Sequence, residues 1–442
     1  MQEFRRKHGN KTLCMAPWTH TYLSPQTERR MCCASTEKAE SFEQYIDTGS
    51  ARKEYNPKTL QQHWNSDHMK SVRRRMMAGE ILPECQVCND KLLNTDVYRD
   101  YFNHLFGHKE DDVWSKTNED GSTEMPVVSF DYRFNNLCNF KCRMCGDMLS
   151  SSWESEQRNN NMWNPQDQAW MAEPTRSKIK QFQKDEVEKE FAYAVDKHLV
   201  EEIYWVGGEP LMYEQHWKYM KQIVDQGDAH KVYVRYNTNL SRVKYKGIDL
   251  YNDLLAHFRD WQVCASIDGT GKIGEWIRDG LDYDKWLDNF RRGCEISKHG
   301  RQMRLDLTIT TPGLLDLKNM FRLSKQLNVE MLTKVTFAFT PDIVLSPIAL
   351  PRKLLNEIVD ELLDFIEPRA DTKQQSLVDV LKQLKNRPVF EETWPDGYKQ
   401  GWLQGKMKQE RIGAIRRDYK KTTLEQILSQ DKRLLDWWDS IG

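Results

Sequence analysis

Apolar and polar positions follow different rhythms along the chain and divide it into three stretches. Near the amino terminus, Leu60, Trp64, Val72 and Met76 recur on one helical face and predict an amphipathic helix there. Across 127–345 short apolar runs of β type, PVVSFDYRF, EEIYWV, KVYVRYN, WQVCASI, RLDLTIT and KVTFAF, alternate with helical segments. Two of those segments are LMYEQHWKYMKQIVDQ and YDKWLDNFRRGCEISKHG. Strands that alternate with helices predict a parallel sheet with helices on its outer side. Six such units do not close the usual eight-fold barrel, so the expected fold is α/β, a partial (β/α)6 TIM-type barrel. Over 346–442 strand signals cease. PRKLLNEIVDELLDFI, SLVDVLKQLK and TLEQILSQDKRLLDWW predict a helical C-terminal extension.

The first stretch, 1–105, is expected to form a small α+β module. A polar run, GHKEDDVWSKTNEDGSTEMP, ends in proline and reads as a linker over 106–126. The gap between the first two barrel strands holds the tract ESEQRNNNMWNPQDQ, expected to be either a mobile lid or an ordered insertion near the site.

Charge excludes some functions. Lys and Arg total 65 against 66 for Asp and Glu, so no global field draws the chain toward nucleic acid or membrane. The opening MQEFRRKHGNKTLC has no apolar core of a signal peptide, and no run is long enough to span a bilayer. A cytoplasmic protein is expected. The 15 tryptophans read as core and packing residues. Arg73-Arg74-Arg75 and KMKQERIGAIRRDYKK are basic, and a solvated helix face accounts for each as well as an anion site does. HExxH, Walker and GxGxxG signatures are missing.

Cysteine placement is the informative anomaly. Eight of the ten cysteines lie between Cys14 and Cys145, and the last 148 residues hold none. Clustered thiols at tight spacing in a reducing compartment point to soft-metal ligation rather than to a disulfide framework. Cys138, Cys142 and Cys145 form a CxxxCxxC loop directly after the first barrel strand, where chemistry sits in parallel β/α folds. Each thiolate can take one iron of a cubane cluster, which leaves one iron open. A zinc site short of one ligand is the competing reading, and zinc prefers four-coordinate sites built from CxxC pairs. Nearer the amino terminus stand Cys14, the adjacent Cys32 and Cys33, and the CxxC pair Cys85 and Cys88. On chemistry alone structural zinc is the commoner use of four such cysteines. Cys264 and Cys294 read as buried small residues.

The CxxxCxxC loop resembles the defining motif of the radical SAM superfamily, and further motifs follow at the ends of the next strands. Gly207-Gly208-Glu209-Pro210 resembles the family's GGEP, Asn237-Thr238-Asn239 echoes its TNG, and Ser266-Ile267-Asp268-Gly269 is similar to its SxDG. The resemblance implies a [4Fe–4S] cluster on Cys138, Cys142 and Cys145 whose open iron takes S-adenosylmethionine (SAM). Reductive cleavage would yield a 5′-deoxyadenosyl radical that abstracts hydrogen from a substrate. It also implies SAM contacts from Gly207, Gly208, Glu209 and Ser266, with Arg278 pairing the SAM carboxylate. Met144 takes the place of an aromatic residue that packs near the adenine in many members. The amino-terminal cysteines resemble a SPASM/twitch module, placed before the barrel instead of after it. That implies a probable second, auxiliary [4Fe–4S] cluster on Cys14, Cys32, Cys85 and Cys88. Cys32 is preferred over Cys33 because neighbours on a strand point to opposite faces. The implied substrate is a peptide or protein, and the alternative is a radical dehydrogenase of a small molecule. A non-catalytic metal-binding protein that kept the fold is the reading from another class. A reductant such as flavodoxin or ferredoxin is the implied electron donor. No acid or base is assigned.

Overall fold

The computed structural model describes residues 10–37, 44–46, 54–90, 98–164, 169–336 and 338–442. They form two compact units. The first comprises Met1–Cys138, Asp147–Tyr236 and Lys244–Trp261, and the second Asn139–Gly146, Asn237–Val243 and Gln262–Gly442.

The first unit is built on β1 (His20–Leu23), β2 (Arg29–Arg30), β3 (Ser129–Tyr132), β4 (Glu202–Trp205) and β5 (Tyr233–Thr238). β1 and β2 form a short antiparallel hairpin, with Tyr22 opposite Arg30. β1 also runs parallel to β3, β3 to β4, and β4 to β5. Parallel neighbours cannot be joined by tight turns, so helices make the crossovers. Of these, α1 (Leu60–Trp64), α2 (Asp67–Met77), α3 (Tyr98–Phe106), α4 (Glu110–Ser115), α5 (Ser151–Asn159), α6 (Glu188–Asp196) and α7 (Glu214–Asp225) matter here. Phe191 on α6 locks helix to sheet. Its ring meets Phe130, Phe134, Trp205 and Tyr219 edge-on at centroid distances of 5.4, 5.7, 5.7 and 5.3 Å.

The second unit carries β6 (Asp260–Ser266), β7 (Met303–Ile309) and β8 (Glu330–Val335), with β6 parallel to β7 and β7 to β8. Its helices include α8 (Tyr283–Ile296), α9 (Leu317–Leu327), α10 (Arg352–Ile366), α11 (Gln375–Asn386) and α12 (Tyr398–Arg416). The α/β reading holds. All six strands expected of a partial barrel form, and the carboxyl-terminal stretch is helical. The last strand begins four residues earlier than its apolar run, because Met331 and Val335 alternate inward there with the exposed Lys334 between them.

Local differences have local causes. The helix expected through 60–76 is two helices, because Ser66 caps α2 by accepting from the Met69 amide at 3.3 Å. Arg73 does not sit on a solvated face. It is fully buried, donates to the Pro17 carbonyl at 2.8 Å and lies over the Trp64 ring. In the polar run 106–126, α4 buries Val113. The tract after β3 is ordered through α5, and residues 165–168 lie outside the described residues. Among the described residues no helix is long and apolar enough to cross a membrane.

Phe191→Ala removes the ring on which four aromatic neighbours converge. It should lower stability by about 3–5 kcal/mol in urea unfolding.

Candidate functional site

In the first unit, Cys138 ends the loop that leaves β3. The Ser152 hydroxyl donates to its carbonyl at 2.7 Å, and its amide donates to Ser151 Oγ at 3.2 Å, so the start of α5 anchors it. Gly207 and Gly208 pack on the backbone that enters Cys138. Gly207 has φ +129°, a conformation open to glycine. A Cβ on Gly208 would stand 2.3 Å from the Leu137 carbonyl oxygen. The contact is sewn shut on both sides. The Glu209 amide donates to that same carbonyl at 2.7 Å, and Tyr213 accepts from the Gly208 amide at 2.9 Å while donating to the Asn135 carbonyl at 2.7 Å. Glu209 is buried, and its Oε1 accepts from the Leu211 amide.

In the second unit, Lys141–Cys142 pairs antiparallel with Arg278–Asp279, placing Arg278 opposite Cys142. Gly280 has φ +112°, and a Cβ there would lie 2.8 Å from the Phe140 ring, so glycine lets the strands close. Arg278 Nη1 reaches to 3.9 Å from the Cys142 sulfur. The same guanidinium grips the buried Asp268, with Nη2 to Oδ1 at 3.0 Å. Its Nε–Oδ2 approach of 2.6 Å is an ion-pair contact too bent to count as a hydrogen bond. Burial pushes the Cys142 thiol up to about 12, and Arg278 works against that rise. The Cys145 amide donates to the Cys142 carbonyl at 3.0 Å, which curls the loop, and Met144 is half-buried within it. Ser266 and Asn237 both point to Asp306, at 3.5 and 2.8 Å, and Asn239 bonds Asn139 of the cysteine loop at 3.0 Å.

The amino-terminal thiols also converge. Cys14, Cys32, Cys85 and Cys88 line one cavity in the first unit with Tyr98 and Arg99. Burial raises the Cys14 thiol to about 12 and the Cys85 thiol to about 11, and the neighbouring thiols push in the same direction. The Arg99 guanidinium beside Cys85 opposes the rise. Cys33 does not line that cavity. Its surroundings are Asp131, Arg133, Arg235 and a hydrogen bond with Tyr98. Among the described residues no three His, Cys, Asp or Glu side chains gather closely enough to grip a single metal ion. In a cubane each cysteine takes a different iron, so its sulfurs do not crowd one centre. Soft thiols at two places, each with a guanidinium against one of them, are a donor set that fits iron–sulfur groups.

Residues 132–316 match the family model described as the Radical SAM superfamily. Those residues are similar to a radical SAM domain. A [4Fe–4S] cluster and SAM are the cofactors of that family. Similar solved structures include SuiB from Streptococcus suis and SuiB bound to precursor peptide SuiA. The first has 13% identity, covers 70% of this chain and 61% of that one, and gives a TM-score of 0.35. The SuiA complex has 13% identity, covers 69% and 61%, and gives a TM-score of 0.34. SuiB bound to S-adenosylmethionine has 12% identity, covers 68% and 59%, and gives a TM-score of 0.31. The chain thus spans about three-fifths of the length of SuiB. No curated protein matches the sequence.

Sequence reasoning missed the residues that brace the CxxxCxxC loop. Arg143 stacks 3.9 Å over the Trp276 ring and pairs with Asp418. Arg416, at the end of α12, donates to the Lys141 carbonyl at 2.8 Å. Arg416 is buried, so the basic run read as a solvated face is in part a clamp. Spacing gave no signal for it, because the partners are more than two hundred and fifty positions apart. Cys264 is buried as expected, whereas Cys294 is only half-buried.

Gly208→Ala should cost about 1–3 kcal/mol by overpacking and lower the melting temperature by several degrees. Gly146→Ala, where a Cβ would meet nothing within 4 Å, should leave it unchanged.

His20 is buried, with Nδ1 at 2.6 Å from Ser129 Oγ, and burial and Arg235 hold its pKa near 3 against an ordinary 6.5. The unfolded chain therefore takes up a proton that the fold refuses as pH falls from 6.5 to about 3. Stability should decline across that window by up to about 1.4 kcal/mol per pH unit. In His20→Gln, this part of the slope should vanish from urea unfolding measured against pH.

Proposed function

We propose that the chain is a radical SAM enzyme that acts on a peptide or protein. Cys138, Cys142 and Cys145 hold the SAM-binding [4Fe–4S] cluster. The observation that carries the reading is Cys142, a half-buried thiol laid against a guanidinium that Asp268 locks in place, inside the matched stretch. When bound, the reduced cluster supplies the electron that splits SAM, and the resulting 5′-deoxyadenosyl radical removes a hydrogen from the substrate.

The protein's share is placement and charge. Arg278 offsets the negative charge gathered on the thiolates, and its tie to Asp268 keeps it from swinging away. Gly207 and Gly208 bring backbone close to the entry of the cysteine loop, and SAM would meet this strand end and Glu209, with Ser266 as a further contact. Met144 packs toward the adenine. Cys14, Cys32, Cys85 and Cys88 hold a second [4Fe–4S] cluster within a 1–105 module, and the burial of Cys14 and Cys32 keeps water from it. A cluster held there would offer either an electron acceptor for a substrate radical or a seat for the substrate. A flavodoxin or ferredoxin supplies the reducing electrons. On one strand face of the first unit Tyr204, Tyr233 and Arg235 are partly exposed above buried polar neighbours, which favours a peptide over a small apolar molecule.

Anaerobically reconstituted protein should contain about eight irons per chain and form 5′-deoxyadenosine from SAM under dithionite. Cys142→Ala should abolish the nucleoside and remove about four irons. Cys85→Ser should remove about the same number at the other site yet still cleave SAM. Unchanged iron and unchanged nucleoside in Cys142→Ala would sink the reading.

A further inference from the structure

One face of the first unit carries two rows of polar side chains that the cluster chemistry leaves unused. Register places His20 beside Ser129, Ser129 beside Glu202 and Glu202 beside Tyr233. Two residues further along the strands, Tyr22 stands beside Asp131, and Tyr204 beside Arg235. Side chains two apart on a strand share a face.

Most of the charge on this face is spent internally. Arg133 holds Asp131 with Nε and Nη2, at 3.2 and 3.3 Å. Glu202 accepts from the Tyr101 hydroxyl at 2.8 Å and from the Ser129 hydroxyl. Arg235 differs. Its guanidinium is clamped between the Tyr101 and Tyr204 rings, 4.0 and 4.1 Å from their centroids. Glu202 is its ion-pair partner, with Oε1 3.6 Å from Nε, too far for a hydrogen bond. Nε is buried with no acceptor, and among the described residues the Arg235 side chain donates no hydrogen bond. The side chain nonetheless keeps 18% of its surface exposed, so a ligand can reach it.

Two rings cover the planes above and below the guanidinium and leave the outer edge formed by its two Nη groups without an acceptor among the described residues. That edge is rigid before any ligand arrives, and it matches the two oxygens of a carboxylate. We propose that Arg235 anchors a carboxylate of the substrate, either an acidic side chain or a peptide C-terminus. The inference rests on the peptide reading above and narrows its substrate class.

Isothermal titration tests it on reconstituted holoprotein with saturating SAM and no reductant, so that SAM's own carboxylate is not what is measured. The probes are Ac-Ala-Glu-Ala-NH2, its neutral isostere Ac-Ala-Gln-Ala-NH2, and Ac-Ala-Gln-Ala-OH. At least one carboxylate probe should bind tenfold or more tighter than the neutral one, and which of the two does so tells side chain from C-terminus. Arg235→Met should erase that preference, and Arg235→Lys should keep only part of it, because an ammonium cannot make two parallel bonds. Equal binding of the three peptides, no binding by any, or an intact preference in Arg235→Met overturns the proposal. The comparison in unaltered protein decides even if both variants fail to fold. Formation of 5′-deoxyadenosine without peptide reports separately on the radical SAM reading, and its absence would leave the binding result standing.

Discussion

A thiol taken out of water holds its proton unless a positive charge or a metal takes the proton's place, and the two cysteine sites are arranged around that constraint. Burial drives Cys142 and Cys14 up to about 12 and Cys85 to about 11. At each site one guanidinium works in the opposite sense, Arg278 at Cys142 and Arg99 at Cys85. Such a cation is useful only if it stays put. Arg278 is therefore tied to Asp268, and Asp268 in turn accepts from the Thr308 amide at 2.8 Å on a neighbouring strand. Arg99 is steadied by Asn89 at 2.9 Å, one residue past Cys88. Metal binding would release protons from these thiols, which couples loading of the sites to pH.

Backbone proximity is the second theme. The entry to the cysteine loop in the first unit is set by main chain lying directly on main chain at Gly208, and in the second unit by the closure at Gly280. Neither contact tolerates a side chain, and both are reinforced by hydrogen bonds to amides and carbonyls. In this way the thiols inherit their positions from the strands and not from a flexible loop. Arg143 and Arg416 add a brace from residues far along the chain.

The polar strand face of the first unit follows different physics. There Arg133 bonds Asp131 directly, whereas the Arg235 guanidinium meets Glu202 only at ion-pair distance and is held between aromatic faces. Cation–π contacts of this kind contribute about 0.5–2 kcal/mol each and leave the hydrogen-bonding edge unspent. A surface arginine would gain less, because water would compete for the same edge.

Much of this was legible in the sequence for reasons that can be named. Period-two runs such as PVVSFDYRF become strands because alternate side chains must face opposite ways, and the six barrel strands all form. The cysteine spacings, GGEP and SxDG announced themselves because their chemistry is local. Ser66, by contrast, split a helix that hydrophobic spacing alone runs together, and Arg73 and Arg416 were hidden because charge predicts solvent unless a distant partner is known. The sequence by itself determined the cysteine spacings, the strand-and-helix order and the similarity of the middle stretch to radical SAM proteins, since these depend on residues close together in the chain. Only the tertiary structure decided which guanidinium meets which thiol, that Cys32 and not Cys33 shares a cavity with Cys14, Cys85 and Cys88, and that Arg235 lies between two tyrosines. Those pairings join residues as far apart as Cys14 and Cys88 or Tyr101 and Arg235, and strand register and packing, which local spacing does not encode, bring them together.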